Sequence, residues 1–189
     1  MDHIKAALEV FKRHPVQWIL TGLVFAVASQ MMVGIFLMPN FIRIARKAAP
    51  ADAPAPEIGD LFKLDDIGDD ILTVLILIAA TFAGICACFV GATVVTVLGF
   101  WTQHLRADRL YAPVDCLKAS FHHAKSNIGE IVVMMLLVGV ISVMGIIFTC
   151  GLGAFVLTPF MVITFERFYA ANRDAIIAAA DQNGVPRLA

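Results

Sequence analysis

The sequence predicts an all-α membrane protein, about four transmembrane helices joined by interfacial amphipathic helices, and three observations carry that prediction. Of the 189 residues 60% are hydrophobic and only 15% charged, a balance found in chains surrounded by lipid rather than in water-soluble domains. The charges are missing from three long tracts, the clearest of which, 131–165, lies between Glu130 and Glu166. As one straight helix that tract would measure about 52 Å against a hydrocarbon core of roughly 30 Å, so a hairpin of two spans fits it better.

Taken from the start, Lys5, Lys12 and Arg13 alternate with Ile4, Ala7, Leu8 and Phe11 at helical spacing, which predicts an amphipathic helix lying on the membrane face. Pro15 punctuates it. The first span is predicted over 16–38, with Trp18 as an interfacial anchor and Pro39 at its end. Ala26-Val27-Ala28 imitates a signal-peptidase site, but the apolar run continues well past it, which argues against cleavage.

The polar stretch 40–70 opens with Arg43, Arg46 and Lys47 and continues through an alanine–proline linker, 48–56. A short amphipathic turn at Ile58-Gly59-Asp60-Leu61-Phe62 follows. Asp65, Asp66, Asp69 and Asp70 then crowd the start of the next helix, where carboxylates complement the helix dipole. Four carboxylates so close together could also converge on a cation, although their spacing matches no calcium loop.

The second span is expected over 71–100 as one overlong or tilted helix. Its small residues fall in rows, Ala80, Gly84, Cys88 and Ala92 on one and Ala83, Ala87 and Gly91 on the next. Such faces let backbones approach closely where lipid removes the usual hydrophobic drive between helices. The connector 102–127 mixes Leu105, Leu110, Tyr111, Leu117 and Phe121 with Arg106, Arg109, Lys118 and Lys125, as short helices at the headgroups would. Asn127 and Glu130 have the spacing of a capping box at the start of the third span, 131–149.

Within that span Gly139, Ser142 and Gly145 form another close-packing row. Gly151 and Gly153 suit the turn into the fourth span, 152–169. There Pro159 should kink the helix and free a carbonyl, for which Ser142 or Thr149 could supply a hydroxyl. With four spans both termini share a side. Basic residues of the N-terminus, connector and tail outnumber Arg43, Arg46, Lys47 and Lys63 of the other side, so the positive-inside rule places both termini in the cytoplasm.

Composition also narrows the function. A chain of this length holds one membrane domain, 1–189, and leaves no room for a fused soluble enzyme. The net charge of −1 gives no field that would gather nucleic acid. Cys86 and Cys88 would diverge by about 200° on a helix, and the adjacent His122 and His123 by about 100°, which suits packing or solvated faces better than a metal. No catalytic constellation or cofactor is read from the spans, and none is expected.

Several short pieces resemble one group of bacterial membrane proteins. They are Ile58-Gly59-Asp60-Leu61-Phe62, Ala107-Asp108-Arg109, Cys116-Leu117-Lys118-Ala119-Ser120-Phe121 with Lys125-Ser126-Asn127, and Cys150-Gly151-Leu152-Gly153 with Pro159 and Tyr169. The pattern is similar to the glycerophosphoryl diester phosphodiesterase membrane-domain family and its relatives of unknown function. The resemblance implies a helical domain that anchors or assembles, without hydrolase activity. The expectation is therefore a non-enzymatic subunit whose partners are the bilayer and itself or another membrane protein. A small-solute channel formed by a homo-oligomer is the alternative, for which Ser29, Gln30, Thr93, Thr96 and Ser142 would be the few polar groups available.

Overall fold

The structure, a computed structural model, describes residues 2–30, 34–63, 67–86, 89–149 and 153–188. All regular structure among them is helical. Three helices are long and apolar enough to cross a membrane: Gly68–Ile85, Ile128–Phe148 and Ala154–Gln182. The chain divides into two compact units, Met1–Leu64 with Leu136–Ala171, and Asp65–Met135 with Asn172–Ala189.

In the first unit, α1 (Asp2–Arg13) leads into α2 (Pro15–Gln30) and α3 (Gly34–Lys47). The sequence anticipates a single span here, and the structure instead folds the tract back on itself. The Phe25 and Phe41 rings lie 4.8 Å apart and Arg13 donates to the Pro50 carbonyl, which brings the start of α2 beside the end of α3. Trp18 is a core residue stacked near Phe41, rather than a lipid-facing anchor. Of the α1 stripe, Ala7 is buried in the unit, Ile4 and Phe11 are half-buried and Leu8 is exposed. Pro39, expected to end the span, sits inside α3.

A 3-10 helix, Ile58–Phe62, docks on α2 and α3 with Leu61 fully buried. The Asn40 amide fixes it, donating to the Leu61 carbonyl at 3.0 Å and the Lys63 carbonyl at 2.7 Å.

Two further helices pass through the division of the chain, α8 (Ile128–Phe148) and α9 (Ala154–Gln182). Within the first unit the end of α8 packs on the start of α9. A Cβ added at Gly145 would lie 2.5 Å from Leu157 Cδ1, and the Gly153 amide donates to Thr149 Oγ1 at 2.6 Å. Pro159, in α9, cannot donate to the Phe155 carbonyl four residues back. Neither expected hydroxyl serves that carbonyl: Ser142 donates to Val138 and Thr149 to Gly145, each within its own helix. Gly22 of α2 packs there instead. A Cβ at that glycine would stand 2.6 Å from the Phe155 oxygen and 2.7 Å from Pro159 Cδ, so only a bare Cα permits the approach.

In the second unit the tract expected as one helix is two, α4 (Ile67–Cys86) and α5 (Phe89–Leu98), packed against each other. Gly84 and Gly91 make the closest point; a Cβ at Gly91 would fall 2.4 Å from the Gly84 carbonyl oxygen. Two more helices, α6 (Thr102–Asp108) and α7 (Pro113–Ser126), pack against this pair. Of the stripe expected at the headgroups, Leu105 and Tyr111 are buried in the unit, Leu110 and Leu117 are half-buried and Phe121 is exposed. The expected capping box also differs: Asn127 closes α7, its amide donating to the His123 carbonyl at 3.0 Å.

Candidate functional site

The polar side chains gather where the apolar helices end, and in each unit they pair. Asp70, in the first turn of α4, and Arg106, in α6, are the two charges that bound the uncharged tract 71–105. Folding back brings them together at 2.8 Å, Nε to Oδ1, with 2% of the Arg106 side chain and 7% of that of Asp70 exposed. Asp69, more than half exposed, adds a longer contact of 3.4 Å to the same guanidinium. A buried pair of this kind offsets its desolvation only through close geometry and further hydrogen bonds. It acts here as a latch across the base of the α4–α5 hairpin.

Around that latch, Ser120 of α7 accepts from the Trp101 amide at 3.0 Å and donates to the Leu98 carbonyl at 2.7 Å, satisfying backbone groups where α5 ends. Burial pushes the nearby Cys116 thiol up to about 12, so it stays protonated and inert at neutral pH. Arg173 pairs with Asp108 at 2.8 Å. The tail closes on the α6–α7 turn, the Leu188 amide donating to the Leu110 carbonyl at 2.9 Å. Gly184, at φ +68°, gives the tail its left-handed bend.

His123 is buried in the same unit, and desolvation lowers its pKa, against a smaller raising influence from Glu130. The unfolded chain therefore takes up a proton near pH 6.5 that the folded state accepts only at lower pH. Stability should be constant above that value and fall as pH drops below it. A His123→Leu variant should flatten this part of the thermal-midpoint profile between pH 7 and 5; an unchanged slope would assign the acid sensitivity elsewhere.

The first unit carries its own pair. Arg46 Nε reaches Glu166 Oε1 at 2.6 Å and the guanidinium lies 5.3 Å from the Tyr169 ring centroid, with Glu166 and Tyr169 buried. Arg167 donates to the Ala49 carbonyl at 2.7 Å and Arg43 to Asn40 Oδ1 at 2.5 Å. Beside them a cavity of about 230 Å³ is walled by Ile44, Ala48, Pro54 and Pro56, with Lys47 and Lys63 on its rim. Both lysines pair with Asp60, and these contacts hold its carboxyl below the usual range against the opposing effect of burial. With Glu57 also on the lining, two lysines face two carboxylates, so the cavity carries no net charge of either sign.

The residues singled out from sequence fare differently. Gly84 and Gly145 are spent on contacts within the chain, and Ser142 is buried and bonded to its own helix. Gly139 faces open space, with nothing within 4 Å of the place a side-chain methyl would take. Ala80 is half-buried on α4. Cys88, Gly151, Asp65 and Asp66 lie outside the described residues, as does the side chain of Ala92. Asp69 and Asp70 both turn to Arg106, and among the described residues no cluster of three His, Cys, Asp or Glu side chains could hold a metal. Gly91 lies in one of the small-residue rows visible in the sequence, whereas no pattern of spacing marks the contacts of Gly22 and Ser120.

The fold and these latches define a helical protein with membrane-length apolar segments. Compared with protein-family models, curated proteins and solved structures, the chain matches none.

Proposed function

We propose that the protein is a non-enzymatic integral membrane protein of a bacterial inner membrane, its termini cytoplasmic, acting as an assembly, anchoring or accessory subunit that associates with itself. The likeness to the phosphodiesterase membrane-domain family points the same way. The observation that carries the reading is the outer face of α8. Leu136, Val140, Val143 and Ile147 lie exposed along it at three- and four-residue steps, and Gly139 opens the strip for a close helix approach while Gly84 and Gly145 are already occupied.

The alternative, a solute path, finds less support. In lipid a hydroxyl is satisfied by a carbonyl one turn back, and Thr21, Ser29, Thr73, Thr81, Ser142, Thr149, Thr158 and Thr164 all bond in that way. Hydroxyls so engaged line a channel poorly.

Gly139→Leu tests the assembly reading. The substitution enters open space, so it should leave the thermal midpoint nearly unchanged while weakening self-association about tenfold, or about 1.4 kcal/mol, by cross-linking in membranes and mass in detergent. A wild-type chain that runs as a strict monomer and cross-links to nothing would refute the reading, and protein-dependent solute flux in liposomes would favour the channel.

A further inference from the structure

The packing of the second unit bears on how deeply its hairpin could enter a bilayer. In the lower part of α4, Asp70, Thr73 and Val74 are buried on the side where α6 and α7 pack, while Leu72 and Leu75 lie exposed on the other. Beyond them the exposure changes. From Leu77 to Ile85 only Gly84 is buried, at its contact with Gly91, while Ile78, Ala79, Phe82, Ala83 and Ile85 are exposed. The described side chains of α5 are half-buried or exposed as far as Leu98, and burial resumes at Gly99 and Trp101. Among the described side chains, the part of the hairpin that α6 and α7 leave uncovered is therefore 77–85 and 93–98.

Its base is set by a polar helix. A Cβ at Gly99 would meet Leu77 Cδ2 at 3.3 Å and Leu117 Cδ1 at 3.6 Å, which puts Leu77, Gly99 and α7 at one level. At that level α7 presents Asp115 and Lys118, paired at 2.8 Å with the lysine side chain 56% exposed, and Lys125 is exposed one helical stretch further along. Charged, solvated groups belong to water or headgroups. From Leu77 to the end of α4, and back along the ten residues of α5, the chain rises about 15 Å at 1.5 Å per residue. A hydrocarbon core is roughly 30 Å across. The connecting sequence, Cys86-Ala87-Cys88-Phe89, carries no charge that would draw it to a second aqueous phase.

We propose that the α4–α5 hairpin enters and leaves one leaflet from the same side without reaching the far leaflet, so that the exposed side chains of 77–85 and 93–98 form a docking face for the acyl chains of a single leaflet. The length of α4 alone would allow a crossing, but one side of its first half is committed to α6 and α7 through the Asp70–Arg106 latch. The proposal rests on the membrane reading given above.

The test uses the full chain with Cys86, Cys88, Cys116 and Cys150 replaced by alanine, reconstituted in phosphatidylethanolamine–phosphatidylglycerol vesicles. Ile85→Cys reports the far end, Phe82→Cys repeats it should the first variant misfold, and Lys118→Cys reports the base. A membrane-impermeant maleimide should label position 118 from one face and position 85 or 82 from neither. An environment-sensitive fluorophore attached at 85 or 82 in detergent should then be quenched several-fold more by lipids spin-labelled near the acyl-chain end than by headgroup-labelled lipids. Labelling of position 85 or 82 from the face opposite to that of position 118 would make the hairpin a crossing and overturn the proposal while sparing the membrane reading. Labelling there from the same face would place the hairpin in water and also overturn it. Release of the whole protein by alkaline carbonate would instead remove the membrane reading itself.

Discussion

Replacing Asp70 by leucine should cost about 3–5 kcal/mol of stability, the range seen when one partner of a buried ion pair is removed. The Arg106 side chain is only 2% exposed, and the substitution deletes its 2.8 Å bond to Asp70. Arginine side chains stay charged in proteins, so the guanidinium would remain buried while its other carboxylate, Asp69, stands at 3.4 Å and is 54% exposed. A thermal or SDS-unfolding series in detergent micelles measures the loss. The double variant Asp70→Leu/Arg106→Met should recover most of it, because two apolar side chains bury without a charge to compensate. Equal losses in the single and double variants would mean that the latch is not an energetic unit.

The second large effect is expected at Gly91. An alanine there places its methyl carbon 2.4 Å from the Gly84 oxygen and 3.1 Å from the Gly84 Cα and carbonyl carbon. These are backbone atoms, which cannot rotate out of the way as a side chain would, so α5 must move off α4. Overpacking of this kind costs about 1–3 kcal/mol. Gly139→Ala is the internal control: it adds the same methyl group to a helix of similar apolarity but into open space, and should stay within about 0.5 kcal/mol of wild type. If both alanines were equally tolerated, the Gly84–Gly91 approach would not exist in the folded protein.

What can be read in the sequence follows from what lipid does to a pattern. Uncharged length is visible residue by residue, so the all-helical class, the small-residue rows around Gly84 and Gly145, and the proline inside the last long helix are all legible. Where those apolar tracts turn is not. The helices α2 and α4 end at Gln30 and Cys86, and the sequences that follow, Met31-Met32-Val33 and Ala87-Cys88, contain neither proline nor charge. In a helix that is apolar all round, no periodicity marks a reversal of direction.

Pairings across a hairpin are equally hidden. Asp70 and Arg106 each read as the flank of a span, and only their 2.8 Å contact shows that one closes on the other. Trp18, and the apolar stripes of α1 and of 102–127, look like headgroup anchors because a half-buried helix has the same amphipathic pattern against lipid as against protein. Trp18, Ala7, Leu105 and Tyr111 are buried inside the units, while Leu8 and Phe121 of the same stripes stay exposed. For the carbonyl freed at Pro159, chemistry suggests a hydroxyl donor; the structure instead brings Gly22 against it, a steric solution that residue types alone do not announce.

The reversal of the 71–105 tract is the claim on which the latch, the Gly84–Gly91 contact and the single-leaflet hairpin all depend. Pulsed electron paramagnetic resonance between spin labels at Gly68→Cys and Gln103→Cys, recorded in bilayers, tests it most directly; Gly68 has open space around it for a label. A hairpin latched through Asp70 and Arg106 predicts a separation of roughly two helix diameters or less, about 20 Å. A distance near 50 Å, the length of one continuous helix over those residues at about 1.5 Å each, would contradict the account.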